Sequence, residues 1–311
     1  MSVLICGSMA YDTIMVFHSQ FKRHILPEQI HILNVSFLVP EMRRDFGGCA
    51  GNIAWSLKLL GGDPQIMATV GDDAGPYLSR LEKLGISTRY IREIGDTFTA
   101  QAFITTDLDD NQITAFHPGA MSYSHKNHVR DADGIKLGIV SPDGRDGMFQ
   151  HAHGFAAAGL PFIFDPGQGL PMFSGPELLE CIDLATYCTL NDYEARMVCE
   201  KTGLSLEVLA ERLQGLIVTL GAQGSRIYTE GRVIEVATPP ANEIVDPTGC
   251  GDAYRGGLLY GLSHGWTLEK SAQLASVMGS IKIAHRGGQN YSPSRDDIAA
   301  RFAAAFGAQP W

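Results

Sequence analysis

No Gly-Lys dipeptide occurs anywhere in the 311 residues. This excludes the G-x-x-x-x-G-K-[ST] loop that cradles phosphates in one large class of nucleotide-binding proteins. No G-x-G-x-x-G follows the first apolar run either, so a dinucleotide-binding fold has no support. The six cysteines, Cys6, Cys49, Cys181, Cys188, Cys199 and Cys250, never fall in a C-x-x-C pair. They give no readable zinc site or disulfide framework, which fits reduced thiols. Positive charge is scarce: 24 Lys and Arg against 34 Asp and Glu leave a net charge of −10 and a pI near 5.4. Bulk attraction to nucleic acid or an anionic membrane is therefore not expected, and any phosphate compound would have to be held by local donors. No basic segment opens "MSVLICGSMAYD", and no uncharged run reaches the length of a membrane span. A cytoplasmic location is expected, and "NVS" at 34–36 is read as a chance glycosylation pattern.

With 45% hydrophobic residues, the chain can bury a sizeable core, as one large domain or a main domain with an appendage. "SVLICGS" (2–8) reads as a buried strand and "CAGNIAWSLKLLGG" (49–62) as a helix with a glycine exit. "PQIMATVG" and "GPYLSRLEKLG" repeat that pair, and strand–helix alternation resumes from "KLGIVS" to "GLIVTLG". This pattern predicts a mostly parallel sheet with helices on both faces. Residues 12–46 and 88–117 break the rhythm with β-type runs and turn-like "GD" and "DLDDN". They read either as a small antiparallel lid sheet, spanning about 12–46 and 88–120, or as an edge extension of the main sheet. A lid over such a core suits a reaction that excludes water.

Two short stretches carry the chemistry. "DPTGCGDAYRGGLL" (246–259) runs from a glycine-broken turn straight into a helical pattern. Gly249 and Gly251 let a backbone approach a ligand, and the helix front behind them offers unpaired N–H groups to an anion. Asp252 stands within about a turn of that anion hole, where it can accept a hydroxyl proton. Taken alone, the stretch also reads as a turn with Asp252 as an N-terminal helix charge. "GSMAYD" (7–12) places Ser8 and Asp12 at the carboxyl end of the first strand, and "FGGCAGN" (46–52) adds Gly47, Gly48 and Asn52. A carboxylate, an amide and two small backbone positions can hydrogen-bond vicinal sugar hydroxyls. "DFGG" (45–48) imitates part of a protein-kinase signature without its companions and is discarded. "HAH" (151–153) is read as a solvated pair rather than a metal site, because i and i+2 on a helix face apart.

These residues resemble the ribokinase-like (PfkB) family of sugar and nucleoside kinases. "GGCAGNIAWSLKLLGGDPQIMATVGDDAG" is similar to its N-terminal glycine signature, and "DPTGCGDAYRGGLL" to its C-terminal one. "TLNDYEA" resembles its Asn-x-x-Glu element, and "IVTLGAQG" its nucleotide-binding strand and loop. The resemblance implies a single ribokinase-like domain over 1–311, a three-layer α/β/α sandwich with a small β lid. Within the family, "LPEQIHILNVSFLV", "FHPGAMS" and "FDPGQ" look most like bacterial adenosine kinases. That implies ATP- and Mg²⁺-dependent phosphorylation of the adenosine 5′-hydroxyl. Another nucleoside, ribose or a related sugar is the alternative acceptor, and a non-catalytic nucleoside sensor the alternative of another class.

Carried over by position, the resemblance implies Asp252 as base, with Gly249, Cys250 and Gly251 as the anion hole. Ser8, Asp12, Gly47, Gly48 and Asn52 would bind ribose. Phe103 and Phe116 would wall the adenine, with Gln168 at its edge; the alternative, that both rings simply pack the lid against the core, is the less favoured one. Asn191 and Glu194 would organise Mg²⁺ and phosphate through water, and Thr219, Gly221 and Gly224 would line the nucleotide. A monovalent cation (K⁺) is implied near Asp246, Thr248 and "HRGGQNYS" (285–292), and a homodimer through the lid. Departures are Cys250 in place of Ala or Val, Gly169 in place of a second amide, and Gly257 in place of Ala. Gly257 is expected to loosen its helix slightly. His117 adds a polar ring beside the proposed base pocket, and Arg255 reads either as a phosphoryl contact or as a salt bridge at the helix start.

Overall fold

Val3 and Ile5 of the first strand face one layer of helices and Leu4 and Cys6 the other, and all four are buried. Burial on both faces explains why this strand reads as an unbroken apolar run. The chain, seen as a computed structural model, is described over residues 1–25, 34–109 and 111–311. The central sheet has nine strands. β1 (Ser2–Cys6) has on one side β4 (Asp63–Val70) and then β5 (Ser87–Glu93). On its other side follow β8 (Ile135–Val140), β9 (Phe162–Phe164), β10 (Tyr187–Asn191) and β11 (Gly215–Thr219). All these junctions are parallel. β12 (Ser225–Thr229) and β13 (Arg232–Val236) then close the far edge antiparallel. The chain thus winds outward in both directions from β1 and β8, and the crevice at their carboxyl ends is the switch point where such sheets bind ligands.

On the Val3/Ile5 face pack α1 (Cys49–Leu59), α2 (Gly75–Lys83), α7 (Cys250–Ser263), α8 (Leu268–Lys282) and α9 (Arg295–Phe306). On the other face lie α3 (Arg145–Ala157), α4 (Gly175–Leu184), α5 (Asp192–Thr202) and α6 (Leu206–Ala210). Gly257 lies where α7 crosses α8. A Cβ there would stand 2.6 Å from the Ala275 Cα, so the missing side chain is what lets α7 and α8 touch. The "HAH" reading also changes. His151 is buried with Nε2 3.1 Å from the Asn127 carbonyl, and only His153 reaches solvent, 3.0 Å from Glu180. Burial pushes His151 down to about 4, so it sits neutral in the core.

The smaller sheet runs β3 (Glu41–Gly47), β2 (Ala10–Val16), β6 (Ala100–Thr106) and β7 (Gln112–His117). Its outer junctions are antiparallel and its central one, β2 with β6, is parallel. Both sequence readings of the insertions hold in part. The run starting at Thr88 belongs to β5 at the edge of the main sheet, while β6 and β7 build the small sheet. Of the segment 26–39, residues 26–33 lie outside the described residues, and 34–39 form no strand. Among the described residues no helix is long and apolar enough to cross a membrane.

Candidate active site

α1 begins at Gly48, whose backbone is left-handed at φ 83°. A Cβ there would collide with the Ser8 carbonyl at 2.6 Å, so the glycine-glycine pair lets the chain turn against β1. Ser8 holds the turn: its Oγ accepts the Cys49 N–H at 3.1 Å and its carbonyl accepts the Ala50 N–H at 2.9 Å. Its hydroxyl therefore caps α1. At Gly47 a Cβ would stand 2.3 Å from Asp12 Oδ2, so that glycine is the floor beneath the Asp12 carboxylate. Asp12 on β2 pairs with Asp45 on β3, and paired residues point to one face.

Asn52, in the first turns of α1, meets α7. Its Nδ2 donates to Asp252 Oδ2 at 2.8 Å, and its Oδ1 accepts from Gln289 Nε2 at 3.1 Å. Gln289 also donates to the Tyr77 hydroxyl at 2.6 Å, and Tyr77 donates to the Gly47 carbonyl at 2.7 Å. This buried chain fixes which way the Asn52 amide faces and so aims the carboxylate. Burial raises Asp252 to about 6, although the Asn52 hydrogen bond and the Arg255 charge pull it down. Burial raises Asp12 to about 6 as well, with Asp45, Asp252 and Asp246 adding their repulsion. The mouth of the cleft is thus acidic.

Gly249 is left-handed at φ 76° and turns the chain into α7. The Cys250 N–H donates to the Pro247 carbonyl at 3.1 Å and is committed to the turn, which corrects its expected place among the anion donors. The N–H groups of Gly249, Gly251 and Asp252 have no partner among the described residues. Arg255, one turn along, is buried and grips Asp165 in a two-pronged pair, Nε to Oδ2 and Nη2 to Oδ1, both 2.9 Å. The salt-bridge reading of Arg255 is therefore the right one, with its partner at the end of β9 rather than at the helix start. Burial acts to lower Arg255, but Asp165 outweighs it and holds the guanidinium firmly charged.

Asn191 and Glu194 cap α5 reciprocally. Asn191 Oδ1 accepts the Glu194 N–H at 2.8 Å, and Glu194 Oε2 accepts the Asn191 N–H at 2.7 Å. Such a cap contributes about 1 kcal/mol. Burial and the nearby Asp165 raise Glu194 above the usual carboxylate range. The Thr219 hydroxyl donates to the Leu190 carbonyl at 3.3 Å, and Gly221 and Gly224 turn the chain with φ of 58° and 93°. Gln168 is exposed beyond β9, and Gly169 is buried against Met148, where a side chain would not fit unless Met148 moved. Ser8, Asp165, Asn191 and Thr219 thus mark the carboxyl ends of β1, β9, β10 and β11 along one edge.

The two lid aromatics part company. In the register of the small sheet Phe116 pairs with Ala102 and Ala102 with Asp12, whereas Phe103 pairs with Thr13. Phe116 therefore shares the Asp12 face and Phe103 the opposite one, so they do not form two walls of one pocket within a chain. His117 follows on β7 and is exposed. Sequence reasoning passed over Asp45, Tyr77, Lys282 and Gln289 and left Asp165 unnamed inside "FDPGQ". Only Asp165 carried a signal, as a carboxylate directly after a three-residue apolar strand.

Unpartnered N–H groups at the front of α7, a carboxylate fixed beside them and a second carboxylate close by, at the switch point of an α/β sheet, are the arrangement a phosphotransferase site requires. The model of the pfkB family carbohydrate kinases matches residues 9–295, and the chain belongs to that family. It is 33% identical over 305 residues to a nucleoside kinase of Methanothermobacter thermautotrophicus, covering 96% of this chain and 98% of that protein. The Burkholderia thailandensis nucleoside kinase, solved in complex with inosine, superposes with a TM-score of 0.90 at 56% identity, covering 99% of both chains. The same kinase in complex with ADP-inosine gives a TM-score of 0.88 at 57% identity, covering 99% of this chain and 97% of that one.

Proposed function

We propose that this chain transfers the γ-phosphoryl group of ATP to the 5′-hydroxyl of a purine nucleoside, adenosine in the first instance, giving AMP and ADP. The observation that carries the reading is the Asn52–Asp252 hydrogen bond, which holds a carboxylate at the front of α7 and within electrostatic reach of Asp12. Asp12, Gly47 and Asn52 take the ribose, and Phe116 lies on the lid face that meets the base. The acceptor hydroxyl gives its proton to Asp252 while its oxygen attacks phosphorus. The free N–H groups of Gly249, Gly251 and Asp252 stabilise charge on the equatorial oxygens as the bond to ADP breaks.

The nucleotide lies along the β10 and β11 ends, past Asn191, Thr219, Gly221 and Gly224. Among the described residues no three His, Cys, Asp or Glu side chains group closely enough to ligate a metal. Mg²⁺ would be carried by the nucleotide phosphates, with Glu194, held at the end of β10 by Asn191, the carboxylate placed to hold water of its shell, and it would supply neutralisation of phosphoryl charge. Phe103, exposed on the face turned from Asp12, supports a second copy covering that side of the lid.

An acceptor panel of adenosine, inosine, cytidine and ribose, with ATP and Mg²⁺, tests the reading by ADP release. Turnover with the purine nucleosides is expected. ADP release with ribose alone would remove the base pocket. Nucleoside binding without turnover on any acceptor would favour the sensor.

A further inference from the structure

Lys282 is the last residue of α8 and is completely buried. A buried ammonium ordinarily pairs with a carboxylate. No carboxylate lies within salt-bridge distance of this one among the described residues. Its Nζ instead donates to two backbone carbonyls, Asp246 at 2.7 Å and His285 at 2.9 Å. These carbonyls belong to the two segments that meet behind the front of α7: the turn before it and the loop after α8. Asp246 ties the same segments through its carboxylate, which accepts the Thr248 N–H and the Gly287 N–H, both at 2.8 Å. The Val245 and Asp246 N–H groups donate to the Ile283 carbonyl at 2.9 and 3.1 Å. Carbonyl oxygens converging from two loops on one positive charge are how a backbone binds a monovalent cation. Here the charge is already present and covalently attached, and K⁺ does not fit where it was expected.

We propose that the Lys282 ammonium is a tethered monovalent cation that locks the 246–249 turn to the 285–288 loop and holds the anion-binding front of α7 in place. The phosphotransferase therefore needs no added K⁺. The charge acts through the turn and contacts no reacting atom, so Lys282 is a positioning residue. Removing the side chain back to Cβ leaves the Asp246 and His285 carbonyls facing a void of cation size. K⁺, NH₄⁺ or methylammonium can enter it, and the bulky tetramethylammonium cannot.

The inference rests on the kinase reading for its activity arm, and a melting arm tests it separately. Wild-type protein at fixed ionic strength should turn over nucleoside equally fast, within about twofold, in KCl and in tetramethylammonium chloride. Its melting temperature should be the same in both salts. Lys282→Ala should lose at least about tenfold in kcat in tetramethylammonium, with nucleoside KM nearly unchanged, since the loss is at the phosphoryl-binding helix front. K⁺, NH₄⁺ or methylammonium should restore its kcat and raise its melting temperature. If Lys282→Ala is insoluble without small cations, folding recovered in KCl but not in tetramethylammonium supports the proposal equally. If it is insoluble in every salt, Lys282→Met, which fills the space without the charge, replaces it and should fold with kcat lowered at least about tenfold in every salt. A wild-type enzyme that requires K⁺, a folded Lys282→Ala that no cation restores, or a Lys282→Met with wild-type kcat overturns the proposal. Wild-type protein inactive in every salt defeats the kinase reading instead, while the melting comparison still decides the cation's place.

Discussion

Asn52 and Asp252 stand 200 positions apart in the sequence and share a 2.8 Å hydrogen bond. One comes from the first helix of the fold and the other from the seventh, so the bond exists only once both helices have packed on the same face of the sheet. It occupies Oδ2 of Asp252 and leaves Oδ1 for an incoming hydroxyl. Replacing Asp252 by Asn keeps an acceptor for the Asn52 amide and removes the base. Asp252→Asn should lower kcat by about 10²- to 10⁴-fold and leave the nucleoside dissociation constant by calorimetry nearly unchanged. A variant with wild-type kcat would end the base assignment.

The acidity of the cleft sets a pH dependence. Asp252 and Asp12 are both raised to about 6. They repel each other, so the rising limb of kcat/KM reports apparent values for the pair. Activity should climb through about pH 6 and level off above it. The stability effect runs the other way. A carboxyl whose folded pKa lies above its unfolded value of about 3.9 binds more protons in the folded state between those values, so stability falls as pH rises across that window. Asp252→Asn should therefore melt higher than wild type at pH 7.5, with the difference shrinking toward pH 4. An unchanged or lower melting temperature at pH 7.5 would contradict the raised pKa.

The two glycine signatures and the alternation of elements were legible because each is local. A run such as "SVLIC" or "CAGNIAWSLKLL" declares its own period and exit. What escaped the sequence depends on register and packing. Whether Phe103 or Phe116 faces the cleft follows from the pairing of β2 with β6, which a one-residue slip would reverse. Gly257 reads as a weak helix residue until α8 is laid against it. Lys282, inside the unremarked pattern "LEKSAQLASVMGSIK", gains its place only because two loops distant in sequence turn their carbonyls toward it. Asn191 and Glu194 entered only as the Asn-x-x-Glu element of the resemblance, and the structure shows the same spacing to be the capping box of α5.

The register of the lid separates the aromatic side chains experimentally. Stacking a base on an aromatic ring contributes about 1–3 kcal/mol. Phe116→Ala should therefore raise nucleoside KM by about tenfold, with ribose phosphorylation, where measurable, unaffected. Phe103→Ala, on the opposite face, should change KM by less than about threefold. Equal effects from the two substitutions would mean that the pairing assigned to β6 and β7 is wrong.

Gly47 and Gly48 adjoin in sequence but differ in what they protect. Gly48→Ala forces a side chain into a left-handed backbone and against the Ser8 carbonyl, so it should destabilise the fold by roughly 1–3 kcal/mol. Gly47 has no positive φ, and its Cβ would meet the Asp12 carboxylate, the movable end of a side chain. Gly47→Ala should keep the melting temperature within a few degrees and raise nucleoside KM. A Gly47→Ala variant that unfolds, or a Gly48→Ala variant as stable as wild type, would reverse the two assignments.

Arg255 and Asp165 form a buried charge pair between α7 and the end of β9, the strand between β8 and β10. Two parallel hydrogen bonds match the planar guanidinium, and an ammonium could supply only one point of charge. Removing the arginine leaves the Asp165 carboxylate buried and unpaired near Glu194 and Asp252, whose own pKa values it already raises. Arg255→Met should cost about 3–5 kcal/mol of stability by denaturant titration, and Arg255→Lys should recover only part of it. Removing both charges, as Arg255→Met with Asp165→Leu, should melt closer to wild type than the single Arg255→Met, because the unpaired charge has gone. Activity should not return in the double variant, since Arg255 also bears on the Asp252 carboxylate and on the Gly251 carbonyl 3.4 Å from Nη1. A double variant no more stable than Arg255→Met would show that packing, rather than the paired charge, holds α7 to β9.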